Sequence, residues 1–366
     1  MDVGSDTSQW FCASIFGLCQ PPAVTAYAVP FPSPKPDTTR PAVSRESPIQ
    51  IVHFSDIHVD LSYEVGASYN CTKNICCRPY TAADAPGNNS YPAQPYGNHN
   101  CDAPLSLEES MYAAIRKIAP NAALTLFTGD VVEGAEWVVT NSEVVSDLDS
   151  AYGNMSGLTY VYGAVGNHDV NPINSFPPQA VSTTISSQYV YDTLSSLWTN
   201  WIGSTAAAMA DSNQGSYSVL HPGGNLRIIS LNSMLYYKEN FWMYEEPMET
   251  DPSGQLAWLV DELQAAENAG EHVYIIGHIP FGSSDIFYDA SNYFNQIVNR
   301  YDATIAALFF GKELVSLIVK INPFLELTYS LLLQATPTKM NLKSHILTTA
   351  TKRLTTPSGS RISLRQ

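Results

Sequence analysis

The chain reads as an α/β protein on three observations. From residue 49 onward, short apolar runs alternate with stretches of helical spacing. Several of the runs end in Gly, Asp, Asn or His, residues suited to a strand giving way to a loop. Hydrophobic residues form 45% of the 366, enough for a sizeable core, which excludes a mostly disordered chain. Strands are expected at 49–55, 124–127, 160–164, 226–231 and 272–276, where the apolar runs are short and continuous as in buried strands. Helices are expected at 105–118, 186–201 and 256–269, where apolar residues recur at three- and four-residue steps. For the last of these, Ser253 offers an N-terminal cap and Gly270 a stop.

The first forty-eight residues have another character. Residues 1–20 place Cys12 and Cys19 in an apolar context, like the end of a small disulfide-bonded helical unit. Residues 21–48 hold eight prolines and are expected to form a stiff extended linker. The start, Met1-Asp2-Val3-Gly4, lacks the basic and apolar runs of a signal peptide, so the N-terminus is expected to be incomplete. Lys+Arg 18 against Asp+Glu 34 gives a charge of −16 with no basic block, which argues against nucleic acid as a partner. No apolar stretch reaches the length of a transmembrane segment; the longest, 314–333, is broken by Lys320, Pro323 and Glu326.

All six cysteines lie at or before Cys101. Cys71, the Cys76-Cys77 doublet and Cys101 do not have zinc-ribbon spacing, and they sit in a loop rich in Pro, Gly and Asn. Disulfides in an oxidising compartment are the expectation. Sequons at Asn70, Asn88 and Asn154 make these three asparagines candidate glycosylation sites.

The residues that carry chemistry stand at the strand ends: Asp56-Ile57-His58, Gly129-Asp130, Gly166-Asn167-His168-Asp169 and Gly277-His278. In α/β sheets such edges converge on one crevice. Carboxylate oxygen combined with imidazole nitrogen suits zinc, manganese or iron better than calcium. His53, inside a strand, is expected to be a core histidine.

This series resembles the calcineurin-like metallophosphoesterases. Flanking words narrow the resemblance to the acid sphingomyelinase group: Cys71…Cys76-Cys77-Arg78, Asn174-Ser175-Phe176-Pro177-Pro178, Glu239-Asn240-Phe241-Trp242, Asp251-Pro252-Ser253-Gly254 and Gly277-His278-Ile279-Pro280. It covers about residues 49–311. The resemblance implies a four-layer α/β/β/α sandwich with mixed sheets, truncated in its C-terminal part. It implies a catalytic domain at 49–311, a saposin-like remnant at 1–20 and the linker at 21–48. It further implies disulfides Cys71–Cys76 and Cys77–Cys101, and two zinc ions. Asp56 and His58 would bind one ion, Asp130 both, and Asn167 and His278 the second. His168 would be the general acid, with Glu133 a candidate helper where the family's second histidine is replaced by Gly134. The implied substrate is a phosphosphingolipid or another phosphodiester, cleaved to ceramide and a phosphorylated head group, with a peripheral lipid surface as a further contact. Soluble nucleotide-like diesters or polyphosphate are the alternative substrates. The implied location is secreted, or the lysosomal or vacuolar lumen.

One departure stands out. The family closes its site with Gly-His-x-His, whereas Gly311 is followed here by Lys312-Glu313-Leu314. Each metal thereby loses a ligand, so weakened or absent activity is expected. Gly311-Lys312 can be written as an intron donor and Gln334 as an acceptor, and removing that interval deletes about 71 nucleotides, not a multiple of three. The downstream codons, read in the shifted frame, can give Gly-His-Thr-His. Residues 312–366 are therefore expected to be translated intron plus an out-of-frame exon, an aberrant disordered tail of a mis-spliced gene.

Overall fold

The computed structural model describes residues 2–37, 49–181, 183–312, 331–332 and 345–346. Helix α1 (Asp6–Phe11) is capped by the Ser5 side chain, which accepts from the Ser8 N–H. A π turn over Cys12–Phe16 continues it to Gly17, and Cys12 is bonded to Cys19.

The chemistry-bearing part begins with β1 (Ile51–Phe54), β2 (Val59–Asp60) and β3 (Ala103–Pro104). Helix α2 (Leu105–Ile118), β4 (Leu124–Phe127), α3 (Asn141–Met155) and β5 (Val161–Gly163) follow. Strands β1, β4 and β5 form a parallel sheet with β4 in the middle. All four residues of β4 are buried, as a central parallel strand requires. Leu124, Leu126 and Phe127 each contribute about 1.5–3 kcal/mol by burial. Tyr112 of α2 meets Phe54 edge-on, and Tyr152 of α3 meets Phe127, so both helices close on this sheet.

The second half runs through α4 (Gln188–Ser212), β6 (Tyr217–Leu220), β7 (Leu226–Ser230), α5 (Gln255–Ala269), β8 (His272–Ile276), α6 (Tyr288–Arg300) and β9 (Ile305–Phe309). Its sheet has the order β6-β7-β8-β9, with β6 antiparallel to β7 and the other pairs parallel. Mixed pairing is thus seen in the second sheet, while the three described strands of the first are parallel. In the second, the tight turn at Gly223 (φ +87°) makes a hairpin, while the first sheet is joined only by helical crossovers. The sheets face each other and share one core; Tyr217 and Ser230 of the second both donate to the Gly163 carbonyl of the first, each at 3.0 Å.

Two local expectations are corrected. Helix α4 runs past residue 201 to Ser212, through a break at Gly203 (φ 76°). Ser253 does not cap α5: it lies in a short 3-10 turn at φ 65°, and the Asp251 carboxylate accepts the Leu256 and Ala257 N–H groups at 2.8 and 2.9 Å. Gly270 ends α5 in the left-handed conformation, as expected.

Residues 20–37 form no helix or strand, but they do not stand free. Val29 is buried in the main core, Phe31 packs on Tyr301, and Arg300 of α6 donates to the Ser33 carbonyl at 3.0 Å. The apolar side chains between the prolines make this segment a strap along α6. The rest of the linker, 38–48, and most of the tail lie outside the described residues. Within the tail, β10 (Leu331–Leu332) pairs antiparallel with β11 (His345–Ile346). No helix among the described residues is long and apolar enough to cross a membrane.

Candidate metal centre

Parallel pairing brings the C-terminal ends of β1, β4 and β5 into line, with Phe54 opposite Phe127 and Phe127 opposite Gly163. In the second sheet Ile276 lies opposite Phe309, so Gly277-His278 and Gly311 emerge together. Every sequence-selected residue of the four motifs thus leaves a strand at the same edge.

The backbone there is strained. Asp56, His58 and Asp130 have φ values of 56°, 41° and 63°, left-handed conformations that cost about 1–3 kcal/mol each. The loops hold one another in that state. The Asp56 N–H donates to the Gly129 carbonyl at 2.9 Å, the Ile57 N–H to Asp130 at 2.9 Å and the Val59 N–H to Val131 at 2.8 Å. Gly129 (φ +90°) cannot be replaced, because a Cβ would fall 2.6 Å from the Gly166 nitrogen.

Two histidines are oriented by main-chain carbonyls. His58 Nδ1 donates to Val132 O at 2.8 Å and His278 Nδ1 to Thr128 O at 2.7 Å. A carbonyl accepts only a hydrogen, so each Nδ1 carries one and each Nε2 faces inward. These Nε2 atoms lie 3.7 and 3.1 Å from Asp130 Oδ2. Asn167 Oδ1 is 3.0 Å from His278 Nε2, and its amide nitrogen donates to Asn174 Oδ1 at 3.0 Å, which turns the oxygen inward. Two groups of potential ligands result, His58–Asp130–His168 and Asp56–Asp130–His278, sharing Asp130. This grouping sets Asp56 with His278, and His58 with His168.

The donor set fits a cation. Asp56 Oδ2 is buried and accepts no hydrogen bond. Burial raises the Asp56 pKa, opposed by the charge of His278. Burial also disfavours a charged His278, yet the Asp130 carboxylate outweighs it and lifts the pKa to about 9. Asp130 is held well below the usual carboxylate range against its own desolvation, by His278 and then His168. The electrostatics therefore favour positive charge between these groups, which a bound metal supplies.

His168 is half-buried, with its ring edge-on to His58 at 4.6 Å between centroids and its backbone N–H donating to Asp130 Oδ1 at 2.9 Å. Burial presses its pKa down to about 3 in spite of Asp130. Glu133, the candidate helper, is buried and accepts from Arg78 at 2.7 Å. Asp169 is a positioning residue the sequence reading did not assign. Its carboxylate accepts the N–H groups of Val131 and Gly166, both at 2.7 Å, and of Asp130 at 3.2 Å, tying two ligand loops together. The signal was its place at the end of Gly166-Asn167-His168-Asp169.

His53 is a core residue, buried beside Phe309 and bonded to Thr128 Oγ1 at 3.0 Å. The disulfides Cys71–Cys76 and Cys77–Cys101 are present. Asn70 and Asn88 are exposed, whereas Asn154 is half-buried in α3 with its amide near Glu108 at 3.4 Å. A cavity of about 580 Å³ beside α1, lined in part by Trp10, Met243 and Phe287, includes none of the metal-centre side chains.

Residues 49–311 match the model of the calcineurin-like phosphoesterases, and the chain belongs to that family. Within it, the chain is similar to sphingomyelin phosphodiesterases. It is 35% identical over 315 residues to sphingomyelin phosphodiesterase B of Dictyostelium discoideum, covering 83% of this chain and 47% of that protein. It is 36% identical over 269 residues to the sphingomyelin phosphodiesterase of Homo sapiens, covering 72% and 41%. It is 30% identical over 316 residues to the cyclic GMP-AMP phosphodiesterase SMPDL3A of Mus musculus, covering 82% and 63%. The chain spans less than half the length of the first two.

Proposed function

We propose that this chain is a sphingomyelinase-like phosphodiesterase with two zinc ions, cleaving a phosphosphingolipid to ceramide and a phosphorylated head group, and that its metal binding is weakened. The observation that carries the metal reading is the buried, partnerless Asp56 Oδ2 beside two histidines whose Nε2 atoms are turned inward. Asp56, His58, Asp130, Asn167 and His278 would hold the ions, with Asp130 common to both. When bound, the ions supply Lewis-acid neutralisation of the phosphodiester oxygens and water activation. His168, neutral at rest through burial, takes up a proton as the anionic diester arrives and passes it to the leaving alkoxide oxygen. Its contact with the Asp130 loop keeps it at the edge of the centre. Three disulfides support an oxidising location, secreted or lumenal, with Asn70 and Asn88 open to glycosylation.

The weakening rests on Lys312. Its N–H donates to the His278 carbonyl at 3.0 Å and its ammonium to the Tyr237 hydroxyl, so the position after Gly311 brings a cation where the family brings a histidine. Loss of a ligand from each metal exceeds the outer-shell changes that already cost about 10–100-fold in affinity. The test compares the purified chain with a variant carrying Lys312→His and Leu314→His. Both are assayed for zinc content and for hydrolysis of micellar sphingomyelin and of a soluble diester. Gain of zinc and of sphingomyelin hydrolysis in the variant supports the reading. Equal zinc and equal turnover in both contradicts the weakening, and hydrolysis of the soluble diester alone favours a nucleotide-like substrate. A transcript with no shorter spliced form refutes the mis-spliced origin of residues 312–366.

A further inference from the structure

Beside the ligand loops three buried carboxylates, Asp60, Glu133 and Asp147, gather around one guanidinium, Arg78, with Asp102 bordering Asp60 and Glu133. Arg78 donates from Nε to Asp60 Oδ2 at 2.8 Å and from Nη2 to Glu133 Oε1 at 2.7 Å. Asp102 Oδ2 accepts the Gly134 N–H at 2.6 Å. That leaves Glu133 Oε2 and Asp147 Oδ2, both buried and accepting no N–H or hydroxyl. The Glu133 and Asp147 carboxyl groups neighbour each other, and Glu133 raises the pKa of Asp147. Two carboxylates cannot bond unless one of them carries a hydrogen. Among the described residues, the groups of three or more metal-ligating side chains are confined to the metal centre, so a proton fits this pair better than a metal ion.

We propose that Asp147 keeps a proton that it donates to the Glu133 carboxylate and that this proton-dependent strut, joining α3 to the loop that carries Asp130, holds the metal centre in shape under acidic conditions. Glu133 follows Asp130 by three residues and Asp60 follows His58 by two, so the strut braces both ligand loops.

The groups that act on Asp147 come from separate elements: Glu133 from the Asp130 loop, Asp60 from β2 and Arg78 from the disulfide loop. Burial raises the pKa of Asp147 to about 9, reinforced by the bond to Glu133 and the charges of Glu133 and Asp60, with Arg78 opposing. Asp102 and Tyr80 border the same cluster. The folded pKa lies above that of an unfolded carboxyl, so folding takes up a proton. The contribution is full below the unfolded value near ~4 and is lost as pH rises through about 9, with the unfolding equilibrium growing up to roughly tenfold per pH unit.

The experiment measures denaturant unfolding of the whole chain and of Asp147→Asn at about pH 5 and about pH 7.5. Asparagine donates an N–H to Glu133 without needing a proton. The unfolding constant of the wild-type chain should therefore rise at least tenfold more than that of Asp147→Asn between the two pH values. Glu133→Gln, whose amide donates to Asp147, should flatten the profile in the same way. Infrared spectroscopy of the wild-type chain at neutral pH should show a buried protonated carboxyl band. Parallel pH profiles for the wild-type chain and the variants, or no such band, overturn the proposal.

Discussion

Gly166 is a position of the metal centre with no room for one more carbon. A Cβ built on it would stand 2.2 Å from the Asp130 nitrogen, 2.2 Å from Asp130 Oδ1 and 2.9 Å from the Asp130 Cα. Two of these atoms are backbone, held by bonds from the Asp130 loop to Asp56, Ile57 and Asp169, so the clash cannot be relieved by a side-chain rotation. Gly166 is not among the glycines with positive φ, so Gly166→Ala tests the contact without added backbone strain. Overpacking of this kind costs about 1–3 kcal/mol. At ~2 kcal/mol the melting temperature of a domain this size falls by roughly 4–8 °C. The displaced carboxylate belongs to both ligand groups, so zinc affinity falls with it. The control is Gly153→Ala: nothing lies within 4 Å of its Cβ, the site is in α3, and alanine there stabilises by about 0.5–1 kcal/mol. The assay is thermal unfolding with and without zinc, together with competition against a chromophoric chelator. A Gly166→Ala protein that melts with the wild type and binds zinc equally well would refute the close approach of the Asp130 and Gly166 loops.

Two further outcomes follow from buried chemistry outside the ligands. Arg78→Met leaves Asp60 and Glu133 buried with no guanidinium beside them, and removal of one partner from such a cluster costs about 3–5 kcal/mol, read as a lower midpoint in urea. Replacing Cys77 and Cys101 together by serine opens a loop with a sequence separation of 24 and lowers stability by about 3 kcal/mol, measured against the wild type in the absence of reductant.

The strand ends were legible in the sequence because their chemistry is local. Asp56-x-His58 alternates faces, and Gly129, Gly166 and Gly277 permit backbone turns or approaches that a Cβ would obstruct. Helices α3 and α6 carry weaker signals: Thr140 and Glu143 form a capping box, and Ala290, Tyr293, Phe294 and Ile297 repeat at helical spacing. Ser253 looked like a cap because serine commonly is one, but Pro252 and the left-handed turn after it hand that task to Asp251. The Arg78 cluster could not be read, since its members come from residues 60, 78, 133 and 147 and meet only after the sheets form. The sequence alone therefore leaves Glu133 a candidate catalytic part, while in the fold it pairs with Arg78. That Asp56 lies close to His278, and His58 close to His168, likewise depends on how the loops of the two sheets meet.

The most direct test of the whole account is a calorimetric zinc titration of the purified chain beside Asp130→Asn. Asp130 belongs to both ligand groups, so the wild type should bind zinc and the variant should lose binding altogether. A variant that takes up as much zinc as the wild type, with the same affinity, would contradict a metal centre built around Asp130.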